Sequence, residues 1–260
     1  MRKYTKIDYA QRNTTVNKLC VFLPDEGEHF PVLLYFHGAG VIHADCDISN
    51  EPFTQYLTQN GIAVVCASYH QFPYTSGKEG VKYTDILEDA VDAVKWIKTN
   101  LGEYCQTEKL FIGGSSHGGY PAAMLCFDKR LLDHCELTPM DIAGFIFDSP
   151  QLTTHYSVLK EKGLAYSRVL IDESAPLYYV GTEKEYPAML FINADNDSHT
   201  RLSQAKLMVT ALKNLGHTAP KVQSVVLEGT HCSYVNAPNV GDANSFGEIL
   251  RQFITSAKEV

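Results

Sequence analysis

Short apolar runs rich in β-branched residues alternate along this chain with stretches of helical periodicity, and each apolar run ends in turn residues. The segments "KLCVFLP" (18–24), "PVLLYFHG" (31–38), "GIAVVCASY" (61–69), "KLFIGG" (109–114), "IAGFIFDSP" (142–150), "PAMLFINAD" (187–195) and "KVQSVVLEG" (221–229) read as strands. Between them, "TDILEDAVDAVKWIKTNLG" (84–102) sets Ile86, Leu87, Ala90, Val91, Val94 and Ile97 at helical spacing, with Thr84 or Asp85 to cap it and Gly102 to end it. Further helices read from about Gly119 through "YPAAMLCF", over "RLSQAKLMVTALKNLG" (201–216) and over "SFGEILRQFITSAKE" (245–259). Strands alternating with helices predict an α/β fold, a mostly parallel sheet covered on both faces. Such sheets bind ligands at the carboxyl ends of their strands, so the turns there are where chemistry is to be sought.

Composition narrows the partners. The net charge of −8 argues against nucleic acid or an anionic membrane surface. No apolar run approaches a membrane span, and "MRKYTKIDYAQRNTTVNK" lacks the apolar core of a secretory leader. Seven cysteines, none spaced C-x-x-C, fit reduced thiols rather than a disulfide framework or a zinc ribbon. The expectation is a cytoplasmic protein of one domain, acting on a small molecule. Its oligomeric state is left open, a homo-oligomer included.

The stretch "FIGGSSHGGY" (111–120) follows a strand and opens a helix. Centred on Ser115, the pattern G-x-S-x-G fails, because His117 stands at the second glycine. Centred on Ser116, Gly114 and Gly118 complete it. In that context the pattern is a nucleophile elbow, a sharp turn that exposes one serine oxygen. Side chains at the two glycines would collide with neighbouring backbone. The following helix N-terminus favours developing negative charge. Alone, the pattern is equally a glycine-rich turn without chemistry; it needs an oxyanion hole, an acid and a base at neighbouring strand ends.

Each has a candidate. "YFHGAG" (35–40) ends an earlier strand and offers the backbone N–H groups of Gly38, Ala39 and Gly40, with that of His117 completing an oxyanion hole. His37 is read as a brace for that loop. After "PAMLFINA" both Asp195 and Asp197 stand where an acid is needed. "VVLEGTHCSY" supplies His231 as base at the next strand end. His43, His70, His155, His199 and His217 are read as solvated or capping residues.

Taken together, these stretches resemble the α/β-hydrolase-fold carboxylesterases related to hormone-sensitive lipase, acetyl esterases and feruloyl esterases. "VLLYFHGAG" is similar to their H-G-G-G loop, and "VVCASYHQFP" to a strand that usually ends Y-R-L-x-P, with His70 in place of Arg. "EDAVDAVKWI" is similar to the helix before the elbow and "GGSSHGGY" to the elbow itself. "SAPLYYV" and "YPAMLFINADNDSHTRLSQAKLMVTALKNLGH" follow the pattern that carries the acid, with Asn193 and Ala194 where His-Gly is usual. The resemblance implies an α/β-hydrolase fold and assigns the acid to Asp197. Ser116, Asp197 and His231 then follow in that fold's chain order. It implies a serine esterase that needs no cofactor and no metal, acting on short-acyl esters, acetylated or feruloylated carbohydrates among them.

Residues 151–186 fall where this fold inserts its cap. The insertion is short, which suits a small or open site, and Tyr156, Tyr166, Tyr178 and Tyr179 are available to stack on a ring or to pack the cap. His43, Tyr69 and Tyr156 are the candidate substrate contacts. His43, Asp45, Cys46 and Asp47 crowd one loop but match no metal motif, and read as pocket rim. Two rivals stay open: a serine peptidase of the prolyl-oligopeptidase type, and a non-catalytic ligand-binding protein on the same fold. The retained His231 counts against the second.

Overall fold

The computed structural model describes residues 1–10, 16–38, 46–71, 80–198, 200–237 and 245–257. In chain order these contain β1 (Arg2–Asp8), β2 (Lys18–Leu23), β3 (His29–Phe36), α1 (Pro52–Gln59), β4 (Ala63–Ala67), α2 (Tyr83–Asn100), β5 (Gln106–Ser115), α3 (Gly119–Phe127), α4 (Lys129–Asp133), β6 (Gly144–Asp148), α5 (Tyr156–Glu161), β7 (Ala188–Asn196), α6 (Arg201–Asn214), β8 (Val222–Thr230) and α7 (Phe246–Ser256). The strands form one sheet in the order β1-β2-β4-β3-β5-β6-β7-β8. β1 and β2 pair antiparallel, as do β2 and β4; every later pair is parallel.

The central strands are buried on both faces, which is why they read as unbroken apolar runs. Val32, Leu34 and Phe36 face a core built with α2, α3 and α6, while Leu33 and Tyr35 face a second core built with α1 and α7. Phe147 shows the packing: its ring lies 5.0 Å from Phe191 and 6.0 Å from Phe127, and it is fully buried. Truncating it to Ala would cost about 3–5 kcal/mol in lost burial and cavity.

Two elements escape pattern reading. β1 is an edge strand exposed on most of its length, so it carries no apolar alternation. α1 has eight residues, too few for periodicity to stand out. The start of α2 also differs from expectation. Its N-cap is Lys82, and Asp85 reaches back to accept the Lys82 backbone N–H at 2.8 Å. The α-helix ends at Asn100, and Gly102 lies in a 3-10 turn beyond it. Among the described residues, no helix is long and apolar enough to cross a membrane.

Candidate active site

Four adjacent parallel strands end together on one edge of the sheet, and a left-handed non-glycine residue follows each. These are Ser116 after β5 (φ 54°), Ser149 after β6 (φ 45°), Thr200 beyond β7 (φ 60°) and Cys232 beyond β8 (φ 52°). Such conformations cost about 1–3 kcal/mol each and persist only where the surroundings enforce them. They stand at or just beyond the ends of the strands that carry Ser116, Asp197 and His231.

The elbow is enforced by close packing. A Cβ on Gly114 would stand 2.3 Å from the carbonyl oxygen of Gly118, and one on Gly118 would stand 1.9 Å from that of Phe36. No side chain fits either position, so the turn is restricted to glycine at both. The Ser116 N–H donates to the Asp148 carbonyl at 2.8 Å, which ties the turn to the end of β6.

Ser116, His231 and Asp197 meet. Ser116 Oγ lies 2.7 Å from His231 Nε2, and His231 Nδ1 lies 2.6 Å from Asp197 Oδ1. The acceptor Asp197 fixes the tautomer: Nδ1 carries the proton, so Nε2 is left to accept from Ser116. Asp197 also accepts from Ser149 Oγ at 2.6 Å, from the Ser198 N–H at 2.8 Å and from Asn193 Nδ2 at 3.2 Å. Burial alone would raise its pKa. The hydrogen bonds from His231, Ser149 and Asn193 outweigh that and hold the carboxyl at about 2. It is therefore an anion at neutral pH, beside an imidazole whose side chain is 26% exposed and open to a reactant.

Asp195 does something else. The pairing of β7 with β8 slips one residue between Ala194 and Asn196. Within that irregularity Asp195 Oδ1 accepts the Gly229 N–H at 2.9 Å, while beyond it Asp197 points at His231.

Of the proposed oxyanion loop, Gly38 is described; Ala39 and Gly40 lie outside the described residues, as do His43 and His199. Gly38 packs on the elbow, where an added Cβ would come within 3.5 Å of Ser116 Cβ. His37 is buried, with Nδ1 2.8 Å from its neighbour's carbonyl oxygen. The His117 ring is buried behind the elbow. Burial, followed by the charges of Arg201 and His37, lowers its pKa to about 3 and keeps it neutral.

Tyr69 departs from the expectation of a substrate contact. It is 1% exposed, its hydroxyl donates to the His37 carbonyl at 2.6 Å, and its ring stacks on His117 at 5.6 Å. It ties the start of the candidate oxyanion loop to the elbow from behind. Tyr156 is half-buried, with its ring 4.1 Å from that of His155. His155 caps α5 by accepting the Ser157 N–H, in line with a capping role. His70 binds the buried carboxylate of Asp89 through both its backbone N–H and its ring. Tyr166 and Tyr178 are exposed, whereas Tyr179 is buried and bonded by Arg130. Asp47 is paired with Lys3 at 2.8 Å.

Pattern reading missed the partners that hold the candidate triad from below. Ser149 and Asn193 donate to Asp197. Ser115, excluded as nucleophile by its flanks, is buried and donates to Asp148, accepting in turn from Tyr35 at 2.6 Å. Tyr234 donates to the other oxygen of Asp148. The one available signal was polar residues ending otherwise apolar strands.

Comparison with known proteins agrees with this architecture. A family model described as alpha/beta hydrolase fold matches residues 33–222. A curated relative, 3-O-acetylpapaveroxine carboxylesterase CXE1 of Papaver somniferum, is 29% identical over 136 residues, 46% of this chain; the chain thereby spans 39% of that protein's length. The solved structure of esterase B from Lactobacillus rhamnosis (HN001) superposes with a TM-score of 0.75 at 16% identity, over 99% of this chain and 86% of that one. A truncated carbohydrate esterase from gut microbiota gives a TM-score of 0.75 at 15% identity, over 100% and 97%. With the match to the family model covering most of its length, and the sheet order and elbow in agreement, the chain belongs to the alpha/beta hydrolase fold family.

Proposed function

We propose that the protein is a serine carboxylesterase. The observation that carries this reading is the continuous line Ser116 Oγ–His231 Nε2, His231 Nδ1–Asp197 Oδ1, at 2.7 and 2.6 Å. His231 takes the Ser116 proton as the serine oxygen attacks the ester carbonyl. Asp197 holds the tautomer and stabilises the imidazolium that forms. The candidate donors to the tetrahedral oxyanion are the backbone N–H groups of Gly38, Ala39, Gly40 and His117; losing one donor from such a hole typically costs about 3 kcal/mol of transition-state binding. The imidazolium returns its proton to the leaving alcohol, and water activated by His231 then cleaves the acyl-enzyme.

The favoured substrates are short-acyl esters, acetylated or feruloylated carbohydrates among them. This finer reading is supported by the short segment between β6 and β7, and by the names of similar proteins, one a carboxylesterase of an acetylated compound and one a carbohydrate esterase. His43 and Tyr156 are the candidates for contact with the alcohol or acyl group.

A panel of p-nitrophenyl esters of increasing acyl length, with acetylated oligosaccharides and a peptide amide, tests the assignment. Ser116→Ala should lower kcat by about 10⁴-fold or more on the preferred ester and abolish labelling by a fluorophosphonate. Full turnover by that variant would refute the nucleophile. Amide turnover exceeding ester turnover would favour a peptidase, and absence of labelling in the wild type would favour a binding protein.

A further inference from the structure

The described residues hold a second buried carboxyl beneath the triad that the proposed mechanism does not use. Asp148 ends β6 with its side chain wholly buried. One carboxyl oxygen accepts from Ser115 and the other from Tyr234, the Cys232 thiol is a further donor to the carboxyl, and its backbone carbonyl accepts the Ser116 N–H at 2.8 Å. The single residue thus grips the elbow on both sides of the peptide between Ser115 and Ser116. It also reaches the triad acid. The Tyr234 hydroxyl lies 3.3 Å from Ser149 Oγ, which donates to Asp197 at 2.6 Å.

The protons of this network are countable. Ser115 has one, and it goes to Asp148; Tyr35 therefore donates to Ser115. Tyr234 gives its proton to Asp148 and Ser149 gives its own to Asp197, so no proton lies between Tyr234 and Ser149. This pattern requires Asp148 to be an anion, because both its oxygens only accept. A neutral Asp148 must donate one of those bonds, and Tyr234 can then turn its proton toward Ser149. The charge state of Asp148 is thereby coupled to the orientation of hydroxyls that end on Asp197.

The groups facing Asp148 are Ser115 on β5, Tyr35 on β3 behind it, and His231, Cys232 and Tyr234 beyond β8. Across Ser149 stand Asp197 and Arg201, whose Nη1 donates to the Ser149 carbonyl at 2.6 Å. His231 is the group there that acquires positive charge during the proposed reaction. We infer that Asp148 is a positioning residue for that reaction: as an anion it locks the Ser115–Ser116 turn and favours the protonated state of His231, and as an acid it does neither. Burial raises its pKa, against the hydrogen bonds from Ser115, Tyr234 and Cys232, to about 6.

The inference rests on the esterase reading for its kinetic arm and is separable from it in its spectroscopic arm. In the pH profile of kcat/KM on p-nitrophenyl acetate, the acid limb reports the base of the free enzyme. Asp148→Asn removes a neighbouring anion, so that limb should move to lower pH. Tyr234→Phe removes a donor to the anion and should move it the same way by less. A purely structural role would lower the plateau and the melting temperature and leave the limb in place; a folded Asp148→Asn protein with an unmoved limb overturns the inference. If that variant fails to fold, or the wild type hydrolyses no ester, the His231 ring signal followed by NMR across pH in the wild type decides. The ionisation of Asp148 is expected to perturb that signal; a signal that does not respond to it overturns the coupling. Absence of ester turnover alone would sink the esterase reading and leave this measurement intact.

Discussion

The Gly118 Cα stands so close to the Phe36 carbonyl that a Cβ there would meet the oxygen at 1.9 Å. The proposed nucleophile elbow and the end of β3 are therefore packed backbone on backbone, which sets Gly38, the first residue of the proposed oxyanion loop, against Ser116. Gly118→Ala must push the two apart. It should destabilise by about 3 kcal/mol, lowering Tm by roughly 6–12 °C, and reduce kcat together with stability. Gly102→Ala, where an added Cβ meets nothing within 4 Å, is the control and should stay within about 0.5 kcal/mol. Thermal melts of both variants check this.

Asp197 and Asp195 lie two residues apart and face different partners. Asp197→Asn presents an amide where His231 Nδ1–H needs an acceptor, and should cost about 10³–10⁴-fold in kcat. Asp195→Asn keeps an acceptor for the Gly229 N–H and should stay within about threefold, as ordinary surface substitutions do. Steady-state kinetics of the pair, on one ester, separates them.

Tyr69→Phe removes the hydroxyl that holds the His37 carbonyl without emptying the volume of the ring. Leaving that buried carbonyl without its donor should cost about 1–3 kcal/mol of stability. If the bond orients the oxyanion loop, kcat falls about tenfold with KM little changed. An unchanged kcat in a destabilised protein would restrict Tyr69 to folding.

The two buried carboxyls act on stability with opposite sign. Asp197, held down at about 2, favours the folded state above pH 4, and that contribution of about 2 kcal/mol is lost as pH falls from 4 through 2. Asp148, raised to about 6, contributes below pH 4 and loses about 3 kcal/mol as pH rises from 4 through 6. Urea melts at pH 4, 5, 6 and 7 should show Asp148→Asn gaining on the wild type by that amount across the range. A constant difference between them would refute the raised pKa.

The strand–helix alternation, the two elbow glycines and the position of His231 after a strand were legible because each is a local property. A strand buried on both faces must be apolar throughout, and a turn pressed against backbone must be glycine. These residues alone determined the class of fold and singled out Ser116 over Ser115. β1 was not legible, since an edge strand exposed on most of its length has no face to mark.

The resemblance pointed to Asp197, but the separation of its contacts from those of Asp195 is not a local property either. It depends on a slip in the pairing of β7 with β8, which exists only once both strands are in the sheet. The same holds for Tyr69, which its position beside a conspicuous strand end offers as a substrate contact and which the fold turns inward onto His37 and His117. Asp148 looked like any polar residue closing a strand. Its neighbours Ser115, Tyr35 and Tyr234 come from three different places in the chain, and only the packing of parallel strands brings their hydroxyls to one carboxylate. The sequence by itself determined which residues stand at strand ends; the tertiary structure decided which of them touch, because contact between strand ends depends on register and on neighbours distant along the chain.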